Sequence, residues 1–228
     1  MELKLIINYL IISIVVSIAI NHLLHNYAKN KNILIDIPDR SRKFHKRPTP
    51  LTGGLGILIA LLISSKLYID LNNLNGYVPE FTYNIVLVSI PLLGLFLIDD
   101  ILGLKPLHRL LIQIIASGFI IQTTGFYLLV LGDLFGFGSI NLGIFGIPVT
   151  LFCIVGIMNA FNMIDGINGL CSGCGIVAIL LVGFYSGLVY DSMVILLLGS
   201  MIGFLIFNLK IFGKKRGIFL GDSGSNLI

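Results

Sequence analysis

Two adjacent carboxylates, Asp99 and Asp100, directly follow the apolar stretch GLFLI and therefore lie where a hydrophobic helix should end. Adjacent like charges repel, which raises the pKa of one of them unless a cation neutralises the pair. Acids at a membrane boundary are candidates for function. The alternative is a solvated helix end before a break at Gly103. The pair alone leaves both interpretations open.

A second polar block reads NAFNMIDGINGL and runs from Asn159 to Leu170. Asn159, Asn162 and Asp165 are spaced three apart, which places them close to one face of a helix. Gly166 then breaks the helix and allows backbone to approach a ligand. Such oxygen-bearing side chains suit either a hard cation such as Mg²⁺ or the polar edges of a nucleotide. The alternative is a polar helix terminus with a glycine cap.

The segment FLGDSGS, residues 219–225, is a glycine-rich turn with one acid and two hydroxyl groups. Its amides and hydroxyls, among them that of Ser223, could contact a phosphate group while Asp222 holds a metal ion. Asp and Ser between glycines also form ordinary turns. The turn by itself does not decide between these interpretations.

The loop DIPDRSRKFHKRPTPLTGG, residues 36–54, carries many cations. Arg42 and Lys43 could bind a diphosphate, attract anionic lipid head groups or simply fix the topology. His45 is interpreted as a loop residue near the substrate. It is not assigned as a metal ligand, because no second His or Cys lies at metal-site spacing.

The composition indicates what positions these residues. Of the 228 residues, 56% are hydrophobic and only 11% are charged, against about 25% charged in soluble domains. This excludes a water-soluble monomer and predicts an all-α, polytopic bundle of transmembrane helices in one domain over residues 1–228. The pI of about 9.0 is interpreted as a topological signal, and no nucleic-acid partner is expected.

Seven apolar blocks have the length that crosses a bilayer, about 20 residues per helix. They run approximately over residues 5–20, 53–69, 84–98, 110–131, 142–158, 171–190 and 192–209. Most of the 15 Lys and Arg residues fall after the first, third and seventh blocks. By the positive-inside rule these loops are cytoplasmic and the N-terminus is outside.

Simple alternation of seven helices places all four polar motifs at this same face. If each motif had only a separate structural role, the four motifs would not be expected to lie at the same face as the cations. We therefore expect a magnesium-supported reaction there between an anionic soluble substrate and an anionic lipid.

The quoted motifs, in this order, closely resemble those of the polyprenyl-phosphate N-acetylhexosamine-1-phosphate transferases, which start bacterial envelope glycans such as lipopolysaccharide, O-antigen and cell-wall linkage chains. The resemblance spans nearly the whole chain and is greatest to the branch that uses GlcNAc-1-phosphate. The peptidoglycan branch carries Lys at the position of Gly103, which argues against a pentapeptide substrate. Many relatives carry Asp at the position of Asn168.

The resemblance implies that a UDP-N-acetylhexosamine reacts with undecaprenyl phosphate in the bacterial inner membrane and releases UMP. Asp222 and Asn162 would contribute to a Mg²⁺ site, with Mn²⁺ as an alternative ion. Asp99 and Asp100 would act at the lipid phosphate, with Asp99 accepting its proton or orienting it. Asp165, Gly166 and Asn168 would contact the nucleotide. We expect direct attack, with an aspartyl-phosphate intermediate as the alternative, and a homodimer remains an option.

Two other functions stay open at this point. A transporter also uses boundary acids and broken helices, but its acids should lie near the midplane in paired repeats. Family members continue through further helices and a His-rich motif, so we also expect the chain to be C-terminally truncated. An inactive fragment or scaffold is therefore the stronger alternative.

Overall fold

The computed structural model describes residues 3–38, 47–72, 80–134, 136 and 138–228, with the backbone alone for residues 3 and 80–87. Helices dominate the described part. They are α1 (Leu3–Lys31), α2 (Gly53–Leu71), α3 (Glu80–Leu102), α4 (Pro106–Thr124), α5 (Gly146–Ile164), α6 (Leu170–Tyr185), α7 (Ser192–Asn208) and the short α8 (Gly221–Ser225). A small antiparallel pair, β1 (Ile35–Asp36) and β2 (Thr49–Pro50), follows α1. Two 3₁₀ turns cover Gly143–Phe145 and Lys214–Arg216.

Within the described residues, three helical segments are long and apolar enough to cross a membrane. They are α1 from Lys4, α2, and α5 with its preceding 3₁₀ turn, and α6 and α7 are shorter apolar helices. Large apolar side chains point outward; Phe152 and Tyr185, for example, expose 80% and 85% of their surface. An apolar exterior is what a lipid solvent favours. The predicted all-α membrane class is confirmed.

Small residues hold the centre of the bundle together. Ser13 Oγ donates to the Leu196 carbonyl at 2.6 Å, and Ser17 Oγ donates to the Ser200 carbonyl at 2.6 Å, so α1 and α7 run parallel in close contact. Gly199 and Gly203 of α7 lie directly against these two serines. Small residues with hydroxyl hydrogen bonds are the usual means of helix association in membranes.

Several predicted boundaries were wrong. The first block was expected to end at Ile20, but α1 continues to Lys31. Asn21 is fully buried within this longer helix, and its side-chain amide nitrogen donates to the Ser17 carbonyl at 2.9 Å, so the donor end of this polar side chain is accommodated inside the helix. The fourth block was expected to reach Leu131, but α4 ends at Thr124, where Gly125 takes a left-handed φ of 69°.

The third helix ends as the sequence indicates. Asp99 and Asp100 lie in the last turns of α3, and Gly103, with a φ of 59°, donates its N–H to the Asp99 carbonyl at 2.8 Å. The C-terminal ends of α3, α5 and α7 and the N-terminal end of α4 meet around α8. A core under α8, from α2, α7 and the tail, contains Ile57, Phe204, Phe207, Ile218 and Leu220.

Candidate active site

The Asp100 side chain links α3 to the glycine-rich segment of residues 219–225 by hydrogen bonds. Its Oδ1 accepts the backbone N–H of Asp222 at 2.7 Å and its Oδ2 accepts that of Ser223 at 3.0 Å. These are the free amides at the first turn of α8, which favours a negative charge. The sequence predicted that amides of this turn contact phosphate. The structure instead gives the amides of Asp222 and Ser223 to a carboxylate of the chain itself.

Two glycines allow the first loop to reach the tail. The N–H groups of Gly53 and Gly54 donate to the carbonyls of Phe219 and Leu220 at 3.0 and 3.1 Å. A Cβ on Gly54 would lie 2.5 Å from the Gly224 Cα, so only glycine permits this approach. The residues that follow β2 are therefore fixed beside α8.

Arg109 of α4 joins three of the predicted site residues. Its Nε lies 2.7 Å from Asp99 Oδ2, and its Nη2 lies 2.7 Å from Asp222 Oδ2. Its Nη1 donates to Asn162 Oδ1 at 3.4 Å. The Asp99 carboxylate is almost completely buried, and its Oδ1 also accepts the Leu104 N–H at 3.0 Å. One guanidinium thus compensates two carboxylates.

Sequence reasoning counted Arg109 only as a topological cation. A signal for its role was present, because a buried pair of acids requires a nearby cation. Arg109 also lies within the first turn of the helix that follows the acidic pair. The sequence therefore indicates that some cation lies near the acidic pair, but it does not show which of the cations at this face it is.

The asparagines of α5 point toward the tail. Asn162 Nδ2 donates to Asp222 Oδ1 at 2.5 Å and to Ser225 Oγ at 3.2 Å. Asn159 Nδ2 instead donates to Gln113 Oε1 at 2.7 Å, and Gln113 Nε2 donates to Asn226 Oδ1 at 3.0 Å. Gln113, which is fully buried, thus links α5 to the residue after α8, a structural role that the sequence reasoning missed.

The end of α5 forms the rim of the site. Asp165 caps the helix, and Gly169, with a φ of 81°, donates its N–H to Asn208 Oδ1. Burial, and after it the charges of Asp222 and Asp100, raise the pKa of the Asp165 carboxyl from 3.8 to about 7. Burial also raises the pKa of the Asp222 carboxyl, while Asn162 and Arg109 lower it.

These elements enclose a cavity of about 910 Å³. Its lining includes the predicted residues Asp99, Asp100, Asp165, Gly166, Asn168 and Asp222, together with Arg109, Lys210, Asp36 and Leu51. All four motif regions contribute to it or flank it. The expected convergence of the motifs at one place is therefore confirmed.

Some predicted residues differ from this pattern. Asn162 contacts Asp222 but does not line the cavity. Ser223 is fully buried and does not line the cavity, because its backbone N–H is used to hold α8 on Asp100. A contact of its hydroxyl with phosphate stays a prediction. Arg42, Lys43 and His45 lie outside the described residues.

The donor set fits a magnesium ion. Four carboxylates and two cations line the cavity. They belong to Asp99, Asp100, Asp165 and Asp222, and to Arg109 and Lys210. Among the described residues, no three His, Cys, Asp or Glu side chains are close enough to enclose a metal by themselves. Mg²⁺ commonly keeps waters and uses one or two carboxylates plus substrate phosphates, so Asp222, which lines the cavity, is a suitable ligand. The role of Asn162 as a second ligand stays a prediction, since its Oδ1 accepts from Arg109.

Comparison with known proteins gives the family. The family model described as "Glycosyl transferase family 4" matches residues 81–228. The chain belongs to glycosyl transferase family 4. The matched region contains the acidic pair, the NAFNMIDG block and the GDSGS tail, so the residues of the cavity are largely those of the family domain.

Relatives of this family 4 chain are named for a common type of reaction. It is 31% identical over 206 residues to the undecaprenyl-phosphate alpha-N-acetylglucosaminyl 1-phosphate transferase of Yersinia pestis, covering 86% of this chain and 52% of that protein. The protein of the same name from Escherichia coli K12 is 30% identical, with the same coverage. A decaprenyl-phosphate N-acetylglucosaminephosphotransferase of Mycobacterium leprae is 33% identical, covering 83% of this chain and 50% of that protein. The chain spans about half the length of these relatives.

Proposed function

We propose that this chain forms the catalytic part of an enzyme that transfers GlcNAc-1-phosphate from UDP-GlcNAc to undecaprenyl phosphate and releases UMP. The observation that carries the proposal is the single cavity where the two acidic motifs, the end of α5 and Arg109 meet. The names of the family 4 relatives supply the substrate classes. The cavity would face the cytoplasm of a bacterial inner membrane, where UDP-sugars are made.

The reaction joins two anions, so the site must reduce their repulsion and align them. A phosphate oxygen of the lipid attacks the sugar-linked phosphorus of the UDP-sugar. A new phosphoanhydride bond forms, and the bond to the oxygen of UMP breaks. Mg²⁺, when bound, supplies positive charge to the diphosphate.

The residues of the chain divide these tasks. Asp99, in the last turns of α3, would orient the lipid phosphate or accept its proton. Asp100 keeps α8 in position through the Asp222 and Ser223 amides. Asp165, Gly166 and Asn168, on the rim of the cavity, would bind the nucleotide. Asp222 and Asn162 would hold the ion, with Mn²⁺ able to replace Mg²⁺.

The test uses the protein expressed from its complete gene, in membranes or detergent. We expect UMP release that requires UDP-GlcNAc, undecaprenyl phosphate and a divalent cation, and that stops with chelator. Asp99→Asn and Asp222→Asn should each reduce turnover by at least about a hundredfold. Asp70→Asn is the matched control, because Asp70 lies at the end of α2 in an exposed pair with Lys66.

Absence of UMP release from the complete protein with either Mg²⁺ or Mn²⁺ would sink the enzyme proposal and leave a scaffold role. Replacing UDP-GlcNAc by UDP-GalNAc in the same assay identifies the sugar.

Direct attack has its own test. UDP-GlcNAc carrying a radioactive sugar-linked phosphate, given without lipid, should leave the protein unlabelled. Radioactive labelling of the protein that is lost in the Asp99→Asn variant would instead establish an aspartyl-phosphate intermediate.

A further inference from the structure

A second cavity, of about 380 Å³, lies at the end of α1. Four cations line it: Lys29, Arg47, Lys214 and Lys215. Asn32 and Thr49 add polar side chains. No Asp or Glu is among its lining residues in the described part of the chain, so its charge is opposite to that of the acidic cavity.

The backbone around this cavity is held in place. Lys29 Nζ donates to the Lys215 carbonyl at 2.6 Å and so joins the end of α1 to the 3₁₀ turn before the tail. The Leu51 N–H donates to the Leu34 carbonyl at 2.7 Å and extends the β1–β2 pairing beside it. The cations therefore converge from three separated segments on a fixed frame.

Converging cations repel one another, and an anion with several oxygens relieves that repulsion. An Arg guanidinium beside Lys ammonium groups suits phosphate, because Arg binds two oxygens at once while Lys acts as a point charge. The cavity lies at the end of a helix of membrane-spanning length, where lipid phosphates are found. The two cavities share no lining residue.

We propose that this basic cavity binds a phosphate group at the membrane surface, separately from the reaction centre. The occupant is the phosphate of an anionic phospholipid or a soluble phosphate of the same chemistry. The inference does not depend on the proposed transferase activity, because it uses none of the residues of the acidic cavity.

The test compares two double variants of the protein expressed from its complete gene. Lys29→Ala with Lys215→Ala removes two cations of the cavity. Lys31→Ala with Arg216→Ala removes two cations from the same two segments that do not line it. Each protein is placed in phosphatidylcholine nanodiscs with and without phosphatidylglycerol, and retained phosphatidylglycerol is measured by native mass spectrometry.

We expect the cavity variant to bind phosphatidylglycerol at least about tenfold more weakly than the control variant. Equal losses in the two variants would show general surface attraction and overturn the site. No loss in either variant, together with no stabilisation by inorganic phosphate that depends on the cavity cations, would overturn it as well. If the cavity variant does not fold, Arg47→Gln provides the same comparison against Arg216→Gln.

A second arm distinguishes the source of the phosphate. Inorganic phosphate is added to the protein in pure phosphatidylcholine at constant ionic strength, and thermal unfolding is followed. Stabilisation that the cavity variant loses and the control keeps assigns the site to soluble phosphate. Phosphatidylglycerol binding without this stabilisation assigns it to a lipid head group.

Discussion

At the scale of single residues, the electrostatics of the acidic cavity depend on Arg109. It contacts Asp99, which is almost fully buried, and Asp222, which is half-buried. Removing one partner of a buried charge pair leaves the other without compensation, and this costs more than the pair itself contributes. Both stability and activity should therefore depend on this side chain.

Arg109→Met should lower the free energy of unfolding by about 2–3 kcal/mol. The effect is below that of a fully buried ion pair, because the Arg109 side chain is itself partly exposed to solvent. The matched control is Lys66→Met, which breaks the exposed pair with Asp70 and should cost under about 1 kcal/mol. Thermal unfolding in detergent measures both variants. Equal effects would mean that Arg109 is not a buried compensating charge.

Asp165 makes the stability of the folded protein depend on pH. Because burial raises the pKa of its carboxyl from 3.8 to about 7, the folded chain binds the proton more tightly than the unfolded chain. Its contribution to the free energy of unfolding is therefore most favourable below the ordinary pKa. That contribution is lost as the pH rises toward the raised value.

Asp165→Asn should raise the unfolding temperature more at about pH 8 than at about pH 5, because the stability that the carboxyl loses accumulates as the pH rises from its ordinary pKa to the raised one. Thermal unfolding at the two pH values provides the measurement. Activity should fall in the same variant, because the proposed contact of this carboxylate with the nucleotide is lost. A stability difference independent of pH would contradict the raised pKa.

At the scale of elements, the contact of α1 with α7 depends on the absence of side chains. A Cβ on Gly203 would lie 2.6 Å from Ser17 Oγ and 2.9 Å from the Ile14 carbonyl oxygen. The carbonyl belongs to the helix backbone and cannot move aside without separating the two helices. Close approach through small residues is therefore what positions α7, and with it the core beneath α8.

Gly203→Ala should destabilise the protein by about 1–3 kcal/mol through overpacking. Gly156→Ala in α5 is the control, since nothing lies within 4 Å of the added methyl group. The control should be neutral or slightly stabilising, because Ala favours helix over Gly. If both variants unfold at the same temperature, close packing is not what joins α1 to α7.

At the scale of the whole molecule, the cations and the acidic cavity lie at the same end of the bundle. Parallel packing of α1 and α7 brings Lys29 to Lys215, and the ends of α3 and α5 meet α8 at the same end. This agrees with helices that alternate in direction. It supports the proposed placement of the site on the cytoplasmic face.

Single cysteines test this topology in a protein whose own cysteines are replaced by serine. Lys31→Cys and Lys214→Cys should react with a membrane-impermeant maleimide only after the cells are opened. Asp133→Cys and Ser186→Cys, at the other ends of the helices, should react in intact cells. The reverse pattern would place the site outside and refute the cytoplasmic assignment.

The amino-acid sequence by itself determined the membrane class, the polar motifs and the family they resemble. It could do so because hydropathy and motif spacing belong to short segments, and because alternating helices fix which segments share a face. Gly103 and the acidic pair were likewise correctly interpreted as the end of a helix.

Only the tertiary structure decided what these residues contact. Asp100 binds the amides of Asp222 and Ser223, 122 and 123 positions away in the sequence. Arg109 and Gln113 resemble other polar residues of α4 until their partners are known. Asn21 appeared to end α1, yet it is buried inside a longer helix. Hydrogen bonds and ion pairs depend on distances between atoms that only packing brings together, and local sequence does not contain those distances.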